Sequence, residues 1–351
     1  MTDFNREMLT VARESRRLTQ TQLADEASFS QAEISKFETG LKVPTEEQVQ
    51  RLATHLLYPA SFFYLSESIR DFGSLCIYHR KRKSAPEGSL KYLLALVNIK
   101  RIQIKQLLKA VESAAEYQFE RLDVAEHGSA AKVAQALRAM WKLPPGPVQN
   151  IIRTIENAGG IVVLHDFGTD KVDAISQWLP GMPPLFLVNN RVPADRLRFT
   201  LTHEIGHIVM HEYMTEDMER EADEFAAEFL MPERDIKSQL YDVSLVKLAS
   251  LKPYWRVSMN ALLKRAGDLG TVTPRTKSYL WMQMGKRGFR THEPVEIPPE
   301  RPSLLAELID VHKRNFGFGP RELAETMHAT ESDVLREYFA PESIGKLRVI
   351  R

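Results

Sequence analysis

His203-Glu204-Ile205-Gly206-His207 places two imidazoles four residues apart, with a carboxylate directly after the first. On an α-helix, positions i and i+4 lie one turn apart on a single face. Both rings can then reach one zinc ion, and the carboxylate comes close to a water on the same ion. The surrounding run, Arg198-Phe-Thr-Leu-Thr-His-Glu-Ile-Gly-His-Ile-Val-Met-His211, is apolar at Phe199, Leu201, Ile205, Ile208 and Val209. This spacing predicts a mostly buried helix that begins near Ala194, just after Pro193.

Two histidines do not complete a catalytic zinc site, which usually has three protein ligands and one position for water. His211 lies roughly 12 Å beyond His203 along a continuous helix, too far for the same ion. A second helix is legible from Thr215 to Pro232, TEDMEREADEFAAEFLMP, with Met218, Ala222, Phe225, Ala226, Phe229 and Leu230 at helical spacing. Glu219 and Asp223 share a face with small alanines that allow close approach to the first helix. Glu219 is the expected third ligand, with Glu221 as its rival, and Asp223 is expected to accept from a ligand imidazole N–H. Glu204 is the expected general base. His211, Tyr213 and Tyr254 are the candidate donors to a tetrahedral oxyanion, and the sequence does not choose among them.

The segment from Pro147 to Pro232 resembles the ImmA/IrrE family of zincin-type metallopeptidases. The stretches that carry the likeness are GPVQNIIRTIENAGGIVV, VDAISQWLPGMPPLFLVN, DRLRFTLTHEIGHIVMH and EREADEFAAEFLMP. The resemblance implies zinc bound by His203, His207 and Glu219, with Glu204 as general base. It also implies a protein substrate, a repressor or antitoxin-like protein, and a role in stress, prophage or mobile-element responses. A zincin needs a small sheet, and Gly160–His165, Lys171–Trp178 and Pro184–Asn189 read as its strands. A substrate could add to such a sheet as a further strand.

Near the amino terminus, residues 19–40 have the layout of a helix-turn-helix. Thr19 or Thr21 caps a short helix through Ala27, and Ser30 caps a second with Glu33 as its capping-box partner. Gly40 ends it, and Leu23, Ala24, Ile34 and Phe37 face a small core. Roughly Asn5 to Leu65 resembles the Xre/Cro repressor family, whose second helix lies in the major groove of double-stranded DNA. The resemblance assigns base-edge contacts to Gln31, Ala32, Ser35 and Lys36, and phosphate contacts to Gln20, Arg16, Arg17 and Lys42. Charge supports this less: residues 1–64 hold seven Arg and Lys against nine Asp and Glu. Binding to an operator of two half-sites would need a homodimer.

Ser89 to Leu122 scans as one long helix with a wide apolar stripe, able to pack within the chain or across a dimer. Arg80-Lys-Arg-Lys83 with Lys91, Lys100, Arg101, Lys105 and Lys109 makes residues 80–109 strongly basic, which suits nucleic acid or an acidic partner. A break is expected at Pro253. Ser303 to Phe339 scans as a further helix–turn–helix used for packing or partner binding. The expected fold class is α+β and mostly helical. It divides into a helix-turn-helix domain (1–68), a basic linker and long helix (69–130), a zincin-like domain with a small sheet (131–285) and a C-terminal helical unit (286–351). The chain has 351 residues, a formal net charge of +1 and one cysteine, Cys76, which excludes an intramolecular disulfide and fits a reducing cytosol. Without an apolar leader or a run long enough to span a bilayer, no membrane partner is expected.

These readings describe a cytoplasmic DNA-binding regulator that carries a zinc endopeptidase. The alternative is a transcription factor or antitoxin whose zincin-like domain senses a ligand or partner without proteolysis.

Overall fold

Three capping boxes space the amino-terminal helices. Thr19, Ser30 and Thr45 each accept from the backbone N–H three residues on, and Gln22, Glu33 and Gln48 reach back to the cap. They start α2 (Gln20–Ala27), α3 (Gln31–Thr39) and α4 (Glu46–Leu56), which follow α1 (Arg6–Ser15). Gly40 ends α3 at φ 78°, a left-handed conformation that a side chain would strain. The computed structural model describes residues 3–69, 86–111 and 115–339. Arg80-Lys-Arg-Lys83 and Cys76 lie outside the described residues.

The chain divides into two compact units that are discontinuous in sequence. In the first, α1 to α4 bury Met8, Leu9, Leu23, Ile34, Phe37 and Leu52 in one core with Ile99 and Ile102 of α5 (Glu87–Leu108). The helices Leu304–Phe316 and Pro320–Met327 also pack on α5. The carboxy-terminal helices and the long helix, expected as separate segments, thus belong with the helix-turn-helix. The wide apolar stripe of α5 is used inside this unit and is not left for a dimer partner. Its basic face is also partly neutralised: Arg101 and Lys105 pair with Glu67, and Lys100 pairs with Glu337.

α5 stops at Leu108, short of the expected Leu122. Phe119 continues the apolar series numerically but serves a different core, edge-on to Trp141 and against Phe186 in the second unit. One periodic pattern therefore spans two domains.

The second unit holds α6 (Ala130–Met140), α7 (Ile151–Asn157), α8 (Ala194–Met210), α9 (Met218–Leu230), α10 (Leu245–Trp255), α11 (Met259–Asp268) and α12 (Pro274–Lys286). Its sheet has the order β1-β3-β2, with β1 (Ile161–His165), β2 (Ala174–Gln177) and β3 (Leu185–Asn189). β3 is buried along its whole length, as its run of Leu, Phe and Val demands of a central strand. It pairs parallel with β1, Val163 opposite Leu187, and antiparallel with β2, Ile175 opposite Leu187. α8 packs on β2 and β3 with one face and on α9 with another. α10 runs through Pro253 to Trp255, two residues beyond the expected break; a proline in the last turn removes one hydrogen bond near a helix end. Among the described residues, no helix is long and apolar enough to cross a membrane.

Candidate metal centre and candidate nucleic-acid interface

α8 carries His203 and His207 on one buried face, 5% and 1% exposed, with their Nε2 atoms 3.0 Å apart. α9 brings Glu219 against both: one carboxylate oxygen lies 3.7 Å from His203 Nε2, the other 3.4 Å from His207 Nε2. One ligand atom from each residue lies within 4.8 Å of the others. Among the described residues this is the one cluster of metal-type ligands. Two imidazole nitrogens and a carboxylate suit a divalent ion of the zinc type.

The helices can approach because the contact residues are small. A Cβ on Gly206 would stand 3.1 Å from the Phe225 ring and 3.4 Å from Ala222 Cα. Asp223, one turn beyond Glu219, lies 3.0 Å from His203 Nδ1 and 2.9 Å from Lys264 Nζ. Burial works against its charge, but the hydrogen bonds from His203 and Lys264 outweigh that and hold the carboxyl at about 2. An ionised Asp223 accepts from Nδ1–H, so His203 Nε2 keeps its lone pair for the cluster. Burial also lowers the His207 imidazole from its ordinary value, which favours the neutral, ligating form.

Glu204 is completely buried. Its Oε2 accepts from Ser176 Oγ of β2 at 2.6 Å, while Oε1 has no hydrogen-bond partner among the described residues. Burying an unpaired carboxylate oxygen costs about 1–3 kcal/mol. Its persistence beside two histidines fits a group whose second partner is a metal-site water, and that is the test the donor set passes. Sequence reasoning missed Ser176 and Lys264. Ser176 stands beside a second polar residue, Gln177, in a four-residue strand, and nothing in its sequence context singles it out.

The remaining expected residues fall differently. Glu221 points to His211, with 3.0 Å between Oε2 and Nε2, and does not join the triad. The buried His211 ring lies between Glu221 and His207, so it is not placed as an oxyanion donor. Tyr213 is 75% exposed in the loop after α8. Tyr254 stands edge-on to Trp255 with its hydroxyl against Gly146. A cavity of about 1430 Å³ adjoins the triad, lined by His203, Glu219 and Asp223 together with Phe199, Trp281 and Ile297.

In the first unit, the starts of α2 and α3 are tied together. Gln31 donates to Gln20 at 2.9 Å, Gln20 donates to Glu38 at 2.7 Å, and Arg13 holds Glu38 from the core side. Gln31, Ala32 and Lys36 are exposed on α3 and Ser35 is half-buried. Lys42 pairs with Glu33 at 3.2 Å. Arg16 and Arg17 turn away from this face. Arg16 donates to the carbonyls of Leu56 and Leu57 at the end of α4, lies over the Tyr58 ring and pairs with Asp333. The Arg17 guanidinium lies 4.0 Å from the Tyr92 ring centre. Unsatisfied carbonyls at a helix end draw cations, and that local demand captures Arg16.

Two family profiles match the chain: a helix-turn-helix domain over residues 7–59 and an IrrE N-terminal-like domain, of a peptidase family, over residues 156–266. No curated protein matches it. The second match contains the whole triad, Glu204 and Asp223, and the first contains α3. The chain joins a helix-turn-helix domain, the fold of a DNA-binding module, to an IrrE N-terminal-like domain of the zincin-like peptidase kind.

Proposed function

We propose that this protein is a DNA-binding transcriptional regulator with a zinc-dependent endopeptidase domain that cuts a repressor or antitoxin-like protein. The observation that carries this reading is the convergence of His203, His207 and Glu219, with the buried carboxylate of Glu204 one residue from a ligand.

When bound, zinc supplies Lewis acidity, lowering the pKa of a water to about 7 and polarising the scissile carbonyl. Glu204 would take a proton at Oε1 from the water that adds to the scissile carbonyl and pass it to the nitrogen that leaves as the C–N bond breaks, while Ser176 holds Oε2 still. Asp223 fixes the His203 ring. β2 is an edge strand beside the centre and carries Ser176, so the substrate backbone adds along its outer edge. The cavity beside the triad receives the flanking side chains. On DNA, α3 enters the major groove, and two copies address half-sites about 34 Å apart. The setting is the cytoplasm, in a stress, prophage or mobile-element response.

The fusion to a helix-turn-helix supports a second reading, a sensor that cuts nothing; a pure sensor has no use for a buried general base at Glu204. The test is zinc-loaded protein incubated with the repressor or antitoxin-like protein encoded beside it, fragments being read by mass spectrometry. Fragments from wild type and none from Glu204→Gln are expected. Equal fragmentation by both, or zinc uptake without any, overturns the endopeptidase.

A further inference from the structure

We propose that Glu221 and His211 form a relay that sets the tautomer of His207, making both of them positioning residues for the metal centre. This rests on the zinc-site reading above. The chain of contacts is continuous. Glu221 Oε2 lies 3.0 Å from His211 Nε2, His211 Nδ1 lies 3.0 Å from His207 Nδ1, and His207 Nε2 faces His203 Nε2 and Glu219.

The polarity follows from what each group can do. An ionised carboxylate only accepts, so His211 Nε2 carries a hydrogen and donates it. A neutral imidazole has one N–H, which leaves His211 Nδ1 as an acceptor. His207 Nδ1 must then be the donor, and His207 Nε2 is left with its lone pair turned to the centre. The opposite polarity would put a hydrogen on the atom that has to bind the metal. His203 reaches the same state in one step, through Asp223.

The backbone is built to hold His211 where the relay needs it. α8 ends at Met210, and His211 adopts an extended conformation at φ −114° and ψ 106°. Arg121 Nη1 donates to the carbonyls of Ile208 and His211, which fixes the turn that carries the ring back under His207. The side chain of Glu221 is 19% exposed against 36% for Glu219, so the relay ends in a more enclosed place than the ligand does. Two acids of α9, two residues apart, thus act on His207 by different means: Glu219 would share its metal, and Glu221 orients it through a second ring.

The experiment uses full-length protein labelled with ¹⁵N at histidine. Long-range ¹H–¹⁵N correlation of the metal-free wild type reads the His207 tautomer directly, and hydrogen on Nδ1 is expected. Glu221→Gln, whose amide can donate as well as accept, is expected to give mixed tautomers. In competition with a chromophoric chelator it should bind zinc about 10–100-fold more weakly, with DNA binding unchanged. Hydrogen on Nε2 in the wild type overturns the relay whether or not the variant folds. Zinc uptake by the wild type with equal affinity and tautomer in Glu221→Gln overturns it alone. No zinc uptake by the wild type overturns the zinc-centre reading and the relay's purpose with it.

Discussion

Gly206 of α8 lies directly against Phe225 of α9, closely enough that a methyl group would stand 3.1 Å from the ring. This contact sets the helix separation at which Glu219 can reach both histidines. Gly206→Ala would gain about 1 kcal/mol in helix propensity. Overpacking costs about 1–3 kcal/mol, and Phe225 is fully buried and stacked on Phe229, with nowhere to yield. The steric cost is expected to win, giving a net loss of about 1 kcal/mol in urea denaturation together with weaker zinc binding. A more stable variant with unchanged zinc affinity would show that the contact does not set the separation.

Glu204→Gln keeps an oxygen for the Ser176 hydroxyl and removes the proton acceptor. Zinc content by metal analysis should match wild type, while cleavage should fall at least about 10²–10⁴-fold. Loss of the metal along with activity would reassign Glu204 to holding the site together.

The helix pair and the clustering of its His203, His207 and Glu219 side chains were legible because metal ligation imposes spacing. Four residues fix two rings on one face, and helical spacing in the acidic segment singled out Glu219 and Asp223. The same segment left Glu219 and Glu221 in competition, since sequence gives an acid its angular position and not its partner. In the structure Glu221 is taken up by the ring of His211, placed by an extended residue and an arginine 90 positions away. Ser176 was invisible because a strand position acquires meaning only when its neighbour across the layer is known. Two domain boundaries went unread for a related reason. An apolar stripe announces that it needs covering, and α5 is covered partly by the distant helices that begin at Leu304 and Pro320. The Ser30–Glu33 capping box of α3, which depends only on local sequence, was legible, whereas for α2 the sequence left Thr19 and Thr21 as rival caps and the Gln22 half of its box went unread.

Arg198 sits on α8 five residues before His203, 1% exposed, paired with Glu300 and donating to the carbonyls of Val148 and Arg256. Glu300 also accepts from Ile152 N at 3.0 Å. Arg198→Met removes the charge and leaves Glu300 buried without its partner. A buried pair broken from one side costs about 3–5 kcal/mol. Chemical denaturation should show that loss, and Arg198→Met combined with Glu300→Gln should recover part of it. An additive double variant would mean that the two charges are not coupled.

Lys36 and Arg16 separate the reading surface of the first unit from its scaffold. Lys36 is exposed on α3, whereas Arg16 is spent on the carbonyls that end α4 and on Tyr58. On an operator selected by the protein from random-sequence DNA, Lys36→Ala should cost about 1–3 kcal/mol and relax the preference at one base position. Arg16→Gln should lower thermal stability by about 1 kcal/mol through the lost helix-end hydrogen bonds. It should leave the slope of log affinity against log salt unchanged, because that slope counts phosphates neutralised by cations. Fluorescence anisotropy across a salt series distinguishes the two. If Arg16→Gln flattens the slope by about one and Lys36→Ala leaves affinity intact, the DNA lies against the other end of α1 and the groove-facing assignment of α3 fails.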